Sequence, residues 1–213
     1  MYDSLVYIGY FLSFINLVLY IKSYSSQDKT FNVFTLYLGI VFCIQMISSI
    51  YVYFSVNNLF LSHFYFIGQL VILSFFYYLL LKTTLQKRFL KFAFVLGILA
   101  LSIHYFLDPS QFFKFNLFEI AVTSLLVVVF AMMHLYNMLA EEKEFYYVTI
   151  GIIIYLLGST VLFFVGNLTV GLSSEFKFLT WTLNAVLIIV YQLFILFEYR
   201  KSFTKVGSKN KLY

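Results

Sequence analysis

Seven apolar runs, at about residues 4–22, 33–55, 61–81, 92–107, 116–139, 147–167 and 178–199, alternate with short polar segments. A helix needs about 20 residues to cross a hydrocarbon core of roughly 30 Å, and the runs approach or reach that length. Between them lie "SYSSQDKTFN", "VNNLF", "KTTLQKRFLK", "DPSQFFKF", "AEEKEFY" and "LTVGLSSEFK", so successive helices should be antiparallel neighbours. Barrel strands would be about ten residues long and would alternate in character, whereas these runs are continuous. The pattern predicts an all-α fold, a polytopic membrane bundle of seven transmembrane helices, with the fourth run the shortest. Residues 1–200 are assigned to this bundle and residues 201–213 to a short basic cytoplasmic tail. The opening "MYDSLVYIGYF" has aspartate where a signal peptide would have lysine or arginine, and is expected to begin the first span.

Composition strengthens the membrane assignment. The 213 residues are 62% hydrophobic and only 11% charged, with a mean hydropathy of +0.93. A soluble domain carries about 25% charged residues, and one of this size has too little interior to hide so much apolar surface. The net charge of +5 does not indicate nucleic-acid binding, because the basic residues flank the spans. With the N-terminus outside, the cytoplasmic segments hold Lys22, Lys29, Lys82, Lys87, Arg88, Lys91, Lys143, Arg200, Lys201, Lys205, Lys209 and Lys211, against only Lys114 and Lys177 outside. This bias predicts an N-out, C-in topology. The compartment expected is a bacterial inner membrane. Cys43 is the one cysteine and has no internal disulfide partner.

Polar residues inside the spans form stripes. At about 100° per residue, Glu119, Thr123, Phe130, His134 and Asn137 share one side of the fifth helix, with Leu125, Val128, Val129 and Met132 off it. Gly9, Ser13, Asn16, Tyr20 and Ser23 share a face of the first span; Gln45, Ser48 and Ser49 do so in the second, and Thr180, Asn184, Tyr191 and Glu198 in the seventh. Lipid offers such groups no partner, so the stripes should face the bundle interior. Gly151 and Gly158, seven apart, should let helices approach closely. Trp181 is expected as an interfacial anchor.

Under the predicted topology the polar groups are biased toward the outer half. Asn16, Gln45, His63, Gln69, His104, Glu119, Thr123 and Asn184 form a candidate polar pocket, and His134 with Asn137 a candidate inner polar pair. Glu119, in the first turn of its helix, is expected to reach the headgroups and to tolerate replacement better than His134. His63, His104 and Glu119 have metal-binding chemistry but come from three helices without a spacing motif, so no metal is assigned. No span has an interior lysine for a retinal Schiff base, and no HExxH, GxSxG or phosphate-binding loop is present. An enzyme is therefore disfavoured, and no catalytic residue or cofactor is assigned.

The stretches "SHFYFIGQLVILSFFYYLLL" (62–81), "FYYVTIGIIIYLLGSTVLFFVGN" (145–167) and "WTLNAVLIIVYQLFILFEYR" (181–200) resemble an uncharacterised group of seven-transmembrane-helix proteins of Bacteroidota. The resemblance rests on a rhythm of aromatic, glycine and polar residues and implies the fold, not an activity. Where that group often has a glutamate near the start of the third span, this chain has Gln69. The topology is also similar to the seven-span sensor modules joined to bacterial signalling kinases, although no effector domain is expected after the last helix here. The expected function is that of a sensor, receptor or accessory subunit, binding a small molecule, lipid or partner helix in its outer half. It would act through a membrane or cytoplasmic partner protein. A small-solute transporter is the alternative, with its site among Asn16, Gln45, Gln69 and Asn184.

Overall fold

A computed structural model describes residues 2–140, 142–168 and 174–203. Among them are seven helices long and apolar enough to cross a membrane, and no strand. They are α1 (Tyr2–Ser23), α2 (Lys29–Tyr53), α3 (Leu59–Leu80), α4 (Thr84–Leu107), α5 (Leu117–Asn137), α6 (Tyr146–Leu168) and α7 (Ser174–Glu198). The chain is a multi-pass membrane protein of all-α fold. A π-helical turn, Tyr199–Phe203, continues α7; the rest of the expected tail, with Lys205, Lys209 and Lys211, lies outside the described residues.

The main departure from the hydropathy pattern is α4, which begins at Thr84 instead of near residue 92. Thr83 caps it, its hydroxyl accepting from the Gln86 amide at 3.3 Å. Lys87 and Lys91 look polar in sequence, yet both ammonium groups lie over the Tyr78 ring, at 5.2 and 4.9 Å. Long basic side chains let a span begin before its apolar run does. Asp28 caps α2 in the same way, accepting from Phe31 N at 3.0 Å.

Two compact units divide the chain: a central one of Gln27–Met133, and a terminal one of Met1–Ser26 with His134–Tyr213. In the terminal unit α1 and α7 run parallel. Tyr2 meets Phe178, Asn16 meets Gln192, and Ser23 meets Tyr199. Helix α6 runs antiparallel to α7, pairing Tyr147 with Phe197, Tyr155 with Tyr191, and Phe163 with Trp181. Seven consecutive crossings require the first and last helices to point the same way, as these two do. The buried face of α1 is Gly9, Ser13, Asn16 and Tyr20, while Ile8, Phe11, Phe14 and Ile21 are exposed. Its polar stripe points inward and its apolar face outward, as a lipid solvent demands.

Glycines set the approach of α6 to α7. A Cβ on Gly151 would lie 2.8 Å from Phe194 Cβ and 3.1 Å from Tyr191 Cδ2, and one on Gly158 would lie 2.7 Å from a Leu187 methyl. Phe194 Cβ is fixed to its backbone and cannot yield without moving α7. Gly151→Ala should therefore cost about 1–3 kcal/mol. Gly68→Ala, with nothing within 4 Å, should be neutral or gain up to about 1 kcal/mol from helix propensity. Thermal unfolding in detergent compares the two.

In the central unit α2 and α3 are antiparallel, with Phe34 on Phe76 at 5.3 Å and Tyr51 on Phe60 at 5.6 Å. Tyr37, Phe76 and Tyr77 are fully enclosed. Helix α5 approaches α4 at Gly97, where a Cβ would clash with a Leu126 methyl.

Candidate functional site

The α5 stripe is buried from Glu119 to His134, and Asn137 is half-buried. Glu119 is 1% exposed and Thr123 and Phe130 are 0% exposed, whereas Leu125 and Met132 are about half exposed. Glu119 thus does not reach out toward headgroups as its first-turn position suggests. The structure encloses it at the end of the central unit formed by the start of α3, the end of α4 and the start of α5.

Local sequence builds this end. Asn116 caps α5, its Oδ1 accepting from Glu119 N at 3.1 Å; that places Glu119 in the first turn, where the helix dipole favours a carboxylate. The α4–α5 connection folds into a 3-10 helix, Pro109–Phe113. Proline suits its first turn, since its missing N–H would have no partner there. Asp108 starts that turn, accepting from Ser110 N at 3.1 Å, from the Ser110 hydroxyl at 2.6 Å and from Gln111 Nε2 at 2.7 Å. The turn carries Phe112 onto His63 of α3, the rings stacking at 5.0 Å.

His63 is 2% exposed and is engaged at both ring nitrogens. Nε2 lies 2.9 Å from the carbonyl oxygen of Phe112, and Nδ1 lies 2.8 Å from Glu119 Oε2 and 2.9 Å from the Tyr105 hydroxyl. Tyr105 of α4 donates to Glu119 Oε2 and accepts from Asn116 Nδ2 at 3.3 Å. Counting donors limits the protonation states. A carbonyl only accepts, so Nε2 carries a proton. His63 Nδ1, Glu119 Oε2 and the Tyr105 hydroxyl then meet as three mutually contacting polar atoms, enclosed together at this end of the central unit. Glu119 Oε1, although buried, has no hydrogen-bond partner.

No family model, curated protein or solved structure matches this chain. The chemistry of the cluster accordingly follows from its own geometry.

Of the polar-pocket residues expected from the sequence, His63 and Glu119 are joined side chain to side chain in the central unit. His104 is not hydrogen-bonded to them; its ring packs on Phe118 at 4.8 Å and its Nε2 has no partner. Thr123 bonds back to Glu119 O at 2.8 Å. Gln69 Oε1 accepts from Tyr37 at 3.4 Å, its Nε2 unpartnered, and Gln45 Oε1 has no partner. In the terminal unit Asn16 Nδ2 donates to both Gln192 O and Gln192 Oε1 at 2.8 Å; Asn184 is buried with Oδ1 unpartnered. His134 Nε2 donates to the carbonyl of Glu144 at 2.8 Å, and Asn137 is the last residue of α5. Among the described residues, no three His, Cys, Asp or Glu side chains gather where they could hold a metal ion.

Asp108 makes the tie between loop and cluster pH-dependent. Hydrogen bonds from Ser110 and then Gln111 hold its carboxyl below the ordinary aspartate range. A carboxylate lowered in the folded state contributes stability above the ordinary value of about 3.9 and loses it as pH falls through the lowered value. Hydrogen exchange of residues 110–113, corrected for intrinsic rates, should therefore stay flat down to the ordinary aspartate range and accelerate only in stronger acid. Asp108→Asn should remove that acid step.

Proposed function

We propose that this chain is a bacterial inner-membrane protein of sensor, receptor or accessory-subunit type, with its N-terminus outside and its C-terminus inside. Its recognition element is the cluster of His63, Tyr105, Asn116 and Glu119. It binds a small donor-bearing molecule, a lipid or a partner helix in the outer half and passes the signal to a partner protein. The orientation follows from the distribution of lysine and arginine across the connections. In that orientation the cluster is at the outer end of the spans.

One observation carries the proposal: Glu119 is enclosed, tied to His63 through Oε2, and has an unpartnered Oε1. Ionisable residues kept inside membrane-spanning helices are functional candidates by default, and Glu119 is enclosed although it stands near the end of its span. A donor reaching Oε1 would compete with His63 for the carboxylate, and so alter a contact that joins α3, α4 and α5. This is how binding at one end could reach a partner at the other.

Purification from native membranes, with and without Glu119→Gln, tests the proposal. It expects a stoichiometric partner that co-purifies with the parent chain, and a signalling output or partner stability that changes in the variant. Labelling of cysteines introduced into the connections should place the α4–α5 segment outside. The proposal fails if no partner is retained and deletion changes no output. Uptake of solute by proteoliposomes, abolished by Gln69→Leu and Asn184→Leu, would replace it with transport.

A further inference from the structure

The basic end of α7 adjoins an open groove of about 470 Å³ along α6 and α7. Tyr147 of α6 and Val190, Leu193, Phe194 and Phe197 of α7 line it, with Arg200 at its charged end. From Val190 to Phe197 the lining runs about 10 Å along the helix, enough for the first part of an acyl chain. Its walls belong to helices that meet lipid: Leu193 and Phe197 are each about half exposed.

Neither cation at the charged end pairs with a carboxylate among the described residues. Arg200 is exposed and makes no hydrogen bond or ion pair among the described residues. The Lys201 ammonium bonds to the Tyr147 hydroxyl and lies over the rings of Tyr147 and Phe197, at 4.9 and 5.7 Å. Two walls of the groove thus hold a cation at its mouth. The adjacent carboxylate, Glu198, does not neutralise them by contact: it is buried and accepts from Tyr147 N, Val148 N and the Ser202 hydroxyl. In sequence the α5–α6 connection, at the same end of α6, carries Glu141, Glu142 and Glu144 beside Lys143, and Lys143 lies over the Tyr146 ring at 4.8 Å. Lys205, Lys209 and Lys211 follow in the sequence.

We propose that this groove binds an anionic glycerophospholipid, its phosphate on Arg200 and Lys201 and one acyl chain against Leu193, Phe194 and Phe197. Guanidinium matches phosphate oxygens in a two-point fork. Basic pockets between membrane helices recognise anionic headgroups. A lipid satisfies both halves of the site, because its charge and its chain are joined at the depth where the cations give way to apolar walls. This site is separate from the His63–Glu119 cluster and stands whether or not that cluster senses anything.

Native mass spectrometry of the full chain in mild detergent tests it, with phosphatidylglycerol and phosphatidylcholine of matched chains as probes. One phosphatidylglycerol should be retained in preference to phosphatidylcholine by roughly tenfold or more. Arg200→Gln/Lys201→Gln should bring that preference close to unity. Leu193→Trp, which fills the groove and leaves both cations, should also abolish it, and free glycerol phosphate should not compete. The site is overturned if the double variant keeps the preference, if Leu193→Trp leaves it intact, or if glycerol phosphate displaces the lipid. Should Leu193→Trp fail to fold, a photoactivatable phosphatidylglycerol on the unmodified chain decides: labels at residues 190–197 support the groove, and labels elsewhere refute it.

Discussion

His63→Leu should destabilise the protein by about 3 kcal/mol or more, since removing one partner of a buried pair leaves the other uncompensated. An ordinary interhelical hydrogen bond in a membrane is worth only about 0.6–2 kcal/mol, so the size of the loss separates the two cases. In His63→Leu, the Phe112 carbonyl loses its donor and Glu119 keeps only Tyr105 on Oε2. In Glu119→Leu, His63 Nδ1 and the Tyr105 hydroxyl lose their shared acceptor, and α5 loses the carboxylate of its first turn. The double variant replaces both polar groups with apolar ones and should recover part of the loss. Its cost should fall short of the sum of the singles by about 1 kcal/mol or more, on the scale of coupled neighbours. Glu119→Leu should also cost more than His134→Leu, which gives up a bond to one backbone carbonyl. Unfolding in mixed micelles measures all four variants. Additive single losses would show that His63 and Glu119 act independently.

The expected ordering of Glu119 and His134 is the opposite of the one read from sequence, and the reason is the local enclosure of Glu119. A first-turn carboxylate lies near the end of its span, and depth alone suggests access to water. What closes the site is the α4–α5 connection, which folds back through the Asp108 turn and lays Phe112 on His63. Hydropathy cannot report that fold. Asn116 and Glu119 are nevertheless legible as a pair, because they stand three residues apart, the spacing of an N-cap and its third helical residue. Tyr105 is harder to find. It adjoins His104 in sequence, and consecutive helical residues point about 100° apart, so depth does not tell which of the two meets His63. The stripes are more fully legible. The inward face of α1 and the positions Thr180, Asn184, Tyr191 and Glu198 of α7 are all buried, because polar groups in lipid have only the interior to turn to. Hydropathy misplaces the start of α4 for the converse reason: Lys87 and Lys91 depress the score of a segment that their own side chains, folded over Tyr78, help to make helical.

Glu198→Ala should cost about 2–3 kcal/mol and loosen the first turn of α6. The opening amides of a helix have no partner within it, and the residue before α6 is Phe145, whose side chain cannot accept. Phe145 also holds a positive φ of 51°, a conformation that costs a bulky residue about 1–3 kcal/mol. The junction is secured from outside. Phe145 is enclosed against Phe203 at 5.2 Å, and Glu198 of α7 brings Oε2 within 2.7 Å of Tyr147 N and 3.4 Å of Val148 N. A charged acceptor on backbone amides contributes about 1.5–3 kcal/mol, and its place at the positive end of the helix dipole adds to that in partly buried geometry. Alanine would remove the acceptor and leave the Tyr147 and Val148 amides to find water inside a packed junction. Glu198→Gln keeps one accepting oxygen and the shape of the side chain, so it should lose less than half as much. Hydrogen exchange at Tyr147 and Val148 should rise in step with the stability loss, while exchange in the middle of α6, which packs on α7 through Gly151 and Tyr155, should change little. If the alanine variant protects those two amides as well as the parent does, the cap is supplied by something other than α7.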